Sequence, residues 1–355
     1  MSYSLNSKIR DLKPYDPIEG EYRIRLDANE SFLSVPQEIK DGILREVDRV
    51  AFHRYPDSLA KEVSAAFADY YGIDPSWVTV GNGSDESISV IMSAFLMKGD
   101  KVLTISPDFS MYRFYASIVE AESIEFQKEE DLSISVDKLI QTAQQEQVSM
   151  IIFSNPCNPT SLGLNRDSVR QLIRSVDALV VLDEAYMDFW DQSLLEEVAD
   201  YDNLIILRTC SKAFGMAAIR LGFAVANPTL TNAIKAVKSP YNSNTLTQKI
   251  GSELFRHPDI LRCGIRQIVE SKNKLYQDLK ELESDCGEKI FVYESCTNFV
   301  FIRTEDAKEI YHFFLKRSIA VRLFPGFLRI SAGNPEENAA VVQAFRNYFQ
   351  MGKGE

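Results

Sequence analysis

The sequence is poor in the patterns that mark several large functional classes. Its only three histidines, His53, His257 and His312, lie far apart and outside any HxxxH or HExxH spacing, so no histidine-held metal site is expected. The five cysteines, Cys157, Cys210, Cys263, Cys286 and Cys296, are scattered and never paired as CxxC. That argues against a zinc ribbon or a redox couple and fits a reducing cytoplasm. No stretch reaches the roughly 18 uncharged apolar residues of a membrane helix. The opening "MSYSLNSKIRDLKPYDP" lacks the apolar core of a secretion signal, so the chain is expected to be neither exported nor membrane-spanning. Positive charge is also short: 39 Lys and Arg face 51 Asp and Glu, a net charge of -12 with no basic run, and nucleic acid is not an expected partner. With 16 glycines and 13 prolines against 45% hydrophobic residues, disordered, collagen-like and coiled-coil classes are excluded.

What remains is an ordinary globular length, 355 residues, enough for one large domain and a smaller one. From about Trp77, β-rich runs alternate with amphipathic stretches: "WVTVGNG", "DKVLTIS", "AESIEF", "VSMIIFS", "ALVVLDEAY", "NLIILR" and "LGFAVA". This predicts an α/β fold with a mainly parallel seven-stranded sheet and helices on both faces. Several runs are nearly all apolar, as strands covered on both faces must be. After about Asn244 a long charged amphipathic segment, near 246–283, leads to "FVYES", "NFVFIRT", a helix near 307–317, "IAVRLF" and "FLRIS". The expected division is an N-terminal segment over 1–35, a large domain over 36–245 and a smaller C-terminal α+β domain over 246–355.

Ligands of open parallel sheets bind at the carboxyl ends of the strands. Five such ends carry polar clusters: "GNGSDE", "SPDFSMY", "SNPCNPT", "DEAY" and "RTCSK". In the first, Gly81 and Gly83 allow a close turn, and Ser84 and Asp85 open a helix where backbone amides and the helix dipole favour an anion. A plain Ser/Asp helix cap is the simpler alternative. Neither GxGxxG nor a GxxxxGK loop is present, which weakens dinucleotide and triphosphate readings. Asp183 ends a buried strand, where a carboxylate is costly without a cation or donors. Lys212 lies 29 residues later, about one strand-helix-strand crossover, just past another apolar run. Taken singly, each also reads as a capping acid, a solvated lysine or one half of a salt bridge.

Together the pieces suggest pyridoxal phosphate, which needs a lysine for an imine, an acid to keep its pyridine nitrogen protonated and a cup for its phosphate. A lysine in low dielectric beside positive charge loses basicity, which imine formation demands.

With these residues in place, the chain resembles the fold-type I aminotransferases, and most closely the histidinol-phosphate aminotransferase family. The resemblance rests on "LKPYDP", "RLDANES", "RYPD", "GNGSDE", "DEAYMDF", "RTCSKAFGMAAIRLGF", "TNFVFIR" and "LRISAGNPEEN", in that order along nearly the whole chain. It implies that Lys212 carries the cofactor and then shuttles a proton, and that Asp183 pairs with the pyridine nitrogen. It implies also that Tyr186 and Asn158 bond the phenolic oxygen and that Phe109 stacks on the ring. The phosphate would take amides near Gly83, Ser84 and Asp85, hydroxyls of Thr209 and Ser211, and Arg220, whose planar fork suits a doubly charged group; a surface salt bridge is the alternative for Arg220. Tyr55 would reach the other subunit's phosphate, which implies a homodimer with shared sites. Arg329 would grip the substrate's anionic group, with Arg322, Tyr15 and Asn298 nearby, although either arginine could instead form an ordinary ion pair.

The chain departs from the family pattern at Cys157 and Ser161, where Asn and Gly are usual, and "NESFLSVP" lacks the usual Pro-Tyr-Gly. The expected reaction is ping-pong transamination between histidinol phosphate and 2-oxoglutarate. An aromatic amino-acid aminotransferase, a threonine-phosphate-type decarboxylase and a non-enzymatic cofactor-binding regulator are the alternatives.

Overall fold

The computed structural model describes residues 3–14 and 18–351. Near the N-terminus come one helical turn, α1 (Ser7–Arg10), and a two-residue strand, β1 (Ile24–Arg25). Two helices, α2 (Gln37–Asp48) and α3 (Lys61–Tyr71), follow. The alternation then begins with β2 (Val78–Asn82), α4 (Gly83–Phe95), β3 (Lys101–Ser106), α5 (Met111–Ile118), β4 (Glu122–Gln127) and α6 (Val136–Glu146). It continues with β5 (Met150–Ser154), α7 (Arg166–Ser175), β6 (Leu179–Asp183), β7 (Leu204–Thr209), β8 (Leu221–Ala226) and α8 (Pro228–Val237). Each of the seven runs read as a strand is a strand, and they form one sheet in the order β2-β8-β7-β6-β5-β3-β4.

The sheet is buried on both faces, which explains why its inner strands read as continuous apolar runs. Alternate residues serve different cores: Val180 and Leu182 of β6 pack with Leu204 and Ile206 of β7 on one side. Val181, Ile205 and Leu207 pack on the other with Ile88, Ile91 and Tyr112. The edge strand β4 is the exception, with Glu122 and Glu125 exposed as an outer strand requires.

The segment near 246–283 is not one helix but two. α9 (Thr245–Phe255) stops and α10 (Pro258–Cys286) starts at Pro258, a residue that has no amide hydrogen to continue a helix but is well suited to begin one. Leu254 and Phe255 of α9 pack in the large core. Beyond α10 lie β9 (Phe291–Val292), β10 (Phe299–Arg303), α11 (Ala307–Leu315), β11 (Ile319–Ala320), β12 (Arg322–Phe324), β13 (Phe327–Ser331) and α12 (Pro335–Met351). An antiparallel sheet in the order β12-β13-β10-β9 buries Val300, Ile302, Leu328 and Ile330 against Leu275, Phe314 and Phe345 of these helices. The N-terminal segment is stitched to this smaller unit, because β1 pairs in parallel with β11 and Ile24 and Leu26 enter its core.

One strand of the large sheet runs against the rest: β8 is antiparallel to both β2 and β7. Its first residues therefore sit at the edge where the other strands end. The link between Thr209 and Leu221 turns back on itself there, which returns Arg220 to the edge that Lys212 has just left.

Candidate active site

The site forms along that carboxyl edge. Asp183 closes β6, in register with Ser154 of β5, and is 5% exposed. Its carboxylate accepts bonds from the Tyr112 hydroxyl at 2.8 Å and the Ala185 amide at 3.1 Å. These donors do not offset burial, which raises its pKa to about 6. A buried acid at this level has a standing demand for a cation. The turn after it is held from below by Arg208 of β7, which bonds Asp188 at 3.0 Å and lies 3.0 Å from Glu184.

Lys212 follows the end of β7 by three residues, and its Nζ donates to the Ala28 carbonyl at 2.9 Å. Burial, followed by the positive charge of Arg329 and Arg220, lowers its pKa to about 8. At pH 7 about one such amine in ten is neutral, against about one in three thousand for an ordinary lysine. Tyr186 lies over the same space, with its ring centroid 5.9 Å from the lysine nitrogen and its hydroxyl accepting from Asn29 Nδ2 at 2.8 Å. Burial pushes the Tyr186 phenol up to about 12, so it remains a proton donor.

The residues expected around a phosphate lie close together. Thr209 Oγ1 and Ser211 Oγ are 3.1 Å apart, and Arg220 Nη1 donates to the same Ser211 oxygen at 3.3 Å. No carboxylate of the described residues pairs with Arg220, so the salt-bridge alternative fails. Gly83 opens α4 at φ +82°, and a Cβ there would lie 2.5 Å from the Arg220 guanidinium. Gly222 is required for the same closeness, since a Cβ on it would meet the Ser84 amide at 2.3 Å. The cap alternative fares no better: Asn82 makes no side-chain cap bond, and Asp85 instead accepts from the Tyr115 hydroxyl at 2.8 Å. At the helix start Glu86 accepts from the Asn82 amide at 2.6 Å, beside the Ser84 and Asp85 amides where the helix field favours an anion.

Phe109 sits edge-on to Tyr112, with centroids 5.5 Å apart. Asn158 is drawn in by the Ser154 hydroxyl, which accepts from its amide at 3.0 Å. Its side-chain oxygen accepts from Arg329 Nη1, while Arg329 Nη2 donates to the Asp27 carbonyl at 2.6 Å. Asn298 is 1% exposed and donates to the Asn29 carbonyl at 3.1 Å, but its own Oδ1 has no partner. Arg322 stands directly across from Arg329 on β12.

Tyr55 is expected to reach the other subunit's phosphate, not to join this cluster. Tyr55 is 80% exposed and stacks on Tyr241 at 4.5 Å. Tyr15 lies outside the described residues. Conversely, Asn29 and Tyr112 hold the two central groups and were given no role by sequence reading. Asn29 lay inside a quoted motif and has φ +55°, a conformation asparagine tolerates better than most. Tyr112 lies in the first turn of α5, and its ring meets that of Phe109, which precedes the helix.

A buried acid, an amine of lowered basicity, two hydroxyls and an arginine share one sheet edge, a set that suits imine chemistry. Residues 22–345 match the family model for aminotransferase class I and II, and the chain belongs to that family. It is 41% identical to the histidinol-phosphate aminotransferase of Clostridium novyi, covering 95% of each chain, and 38% identical to that of Clostridium kluyveri, covering 93% and 94%. Within the class, then, it is a member of the histidinol-phosphate aminotransferase family. In structure it is similar to the histidinol-phosphate aminotransferase of Sinorhizobium meliloti solved with pyridoxal-5'-phosphate, with a TM-score of 0.87 at 20% identity over 99% of both chains. The protein is an aminotransferase, and its donor set fits pyridoxal phosphate.

Proposed function

We propose that this chain moves an amino group between histidinol phosphate and 2-oxoglutarate by a ping-pong route. The observation that carries the substrate reading is the placement of Arg322 and Arg329 directly opposite each other on adjacent strands. Two guanidinium groups that start from one register position can both reach a single phosphate ester. The names of the curated relatives support the same substrate.

Pyridoxal phosphate, when bound, supplies an electrophilic aldehyde and a ring that spreads the negative charge developed at the substrate's α-carbon. The chain's residues do the rest. Asp183 holds the ring nitrogen in its cationic form, and Tyr186 and Asn158 bond the phenolic oxygen. Gly83, Ser84, Asp85, Thr209, Ser211 and Arg220 hold the phosphate. Phe109 covers the ring face and Asn298 lines the substrate side. Lys212 Nζ would supply the amine that holds the cofactor and would then take and return the α-proton, its basicity lowered by burial and by Arg329 and Arg220.

The domain division is part of this reading: a segment over 1–35, a large unit over 36–245 and a small unit over 246–355, although α9 packs on the large unit. So is a homodimer with shared sites. Tyr55, Tyr241 and Phe52 form an exposed aromatic patch, 80%, 49% and 74% open, of the kind a partner covers. Five free cysteines support residence in the cytoplasm.

A panel of amino donors mixed with the cofactor-loaded protein tests the substrate, read by loss of visible cofactor absorbance in one turnover. Histidinol phosphate should act at the lowest concentration. Preference for phenylalanine or tyrosine would replace it with the aromatic reading, and release of carbon dioxide from phosphothreonine with the decarboxylase reading.

A further inference from the structure

Ser161 stands out among the residues near the site that the mechanism does not use. It is wholly buried, yet its backbone has φ +65°, a conformation that glycine adopts freely and side-chain residues resist. Something must hold it there. Its Oγ lies 2.7 Å from the Glu294 carbonyl and 2.5 Å from the Thr160 carbonyl, and its own carbonyl accepts from the Cys296 amide at 2.9 Å. Glu294 and Cys296 belong to the small unit, in the link from β9 to β10. Thr160 and Ser161 belong to the large one, just beyond Asn158.

The link 294–298 leads straight into the site. Asn298 donates to the Asn29 carbonyl at 3.1 Å, and the Phe299 ring meets Tyr186 edge-on with centroids 5.3 Å apart. On its far side the link is tied to α10, where Lys272 Nζ donates to the Ser295 carbonyl at 2.7 Å. A second polar bridge joins the two units here, from Arg329 to Asn158. Both of its ends are groups that ligands claim, so it must be exchanged during turnover. The bonds at Ser161 use no such group and can persist.

We propose that Ser161 is a positioning residue that latches the loop 157–161 to the link 294–298, so that Asn298 and Phe299 are aligned with Asn158 and Lys212 before substrate arrives. This rests on the reading that Asn158 and Asn298 border the reacting group.

The experiment compares the cofactor-loaded wild type with Ser161→Gly and Ser161→Ala. Glycine removes the side chain and relaxes the backbone; alanine removes only the hydroxyl and keeps the resisted conformation. Both variants should show amide hydrogen exchange at Cys296 faster by about 2- to 12-fold, the worth of one hydrogen bond. Both should raise the KM for the amino donor by a similar factor with kcat changed less than about twofold. Only Ser161→Ala should lose thermal stability, because Gly recovers the backbone cost. Unchanged exchange at Cys296, or an unchanged KM, in both variants overturns the latch. Borohydride labelling of Lys212 in the presence of pyridoxal phosphate separates the layers. If wild type and variants label equally, the cofactor site stands and the latch is judged on exchange and KM; if wild type does not label, the site reading and the latch fall together.

Discussion

The two halves of the cleft are built differently. On the cofactor side, Asp183, Thr209, Ser211 and Lys212 stand at the ends of two neighbouring strands of one sheet, although Asp183 and Lys212 also take partners 71 and 184 residues away. On the substrate side, Asn29, Asn298, Arg329 and Asn158 come from four distant segments, joined by bonds that span 157, 171, 269 and 302 residues. The first half is a consequence of the sheet; the second exists only when two units and the N-terminal segment meet. Substitutions on the cofactor side should therefore strike chemistry and ionisation, and those on the substrate side should strike binding.

The largest expected effect is that of Lys212→Ala, which removes both nucleophile and base and should cut transamination at least about 10⁴-fold while the circular dichroism spectrum is retained. Substantial residual turnover would break the comparison at its root.

Next comes Asp183→Asn, where activity and stability should move in opposite directions. The acid's pKa is near 3.8 when free and about 6 here, so the folded protein binds more protons between those values and loses stability as pH rises through them. The variant without cofactor should then be more stable than wild type by about 2–3 kcal/mol above pH 6 and equal to it below pH 4, as read by urea unfolding. Equal stability at every pH would mean that the carboxylate is already satisfied without a cation.

Arg329→Ala should raise the donor KM by about 1–3 kcal/mol, the range of one bond to a charged group, and change kcat less. A fall in kcat alone would move Arg329 from the binding half to the chemical half.

The smallest effect should be that of Tyr112→Phe, which deletes one of the two bonds to Asp183. Cofactor affinity should weaken by about 0.5–1.5 kcal/mol, measured by fluorescence titration, and Asp183 should titrate higher than in wild type because Tyr112 lowers its pKa. No change in either quantity would leave Tyr112 a packing residue.

The cofactor half was the more legible because its signals are local. A buried strand that ends in an acid or runs into a lysine can be read from a few residues, as can glycines at a helix start. Arg220 was suspected, but its return to the site depends on β8 running antiparallel, and no short stretch states strand direction. The break at Pro258 is marked in the sequence only by the proline, because the charge pattern continues across it. Asn29 and Tyr112 show no role in the sequence, since nothing in their neighbours names a partner 157 or 71 residues away.

The pattern of apolar runs and amphipathic stretches by itself determined an α/β sheet buried on both faces, a smaller appended unit, and an acid and an amine at strand ends, because strands covered on both faces must be apolar throughout and their polar residues fall at the ends. Tertiary structure alone decided which carbonyl Lys212 meets, that Arg322 faces Arg329, and that Ser161 touches Glu294. Contacts between segments hundreds of residues apart are set by how the two cores dock, and docking leaves no period in the chain.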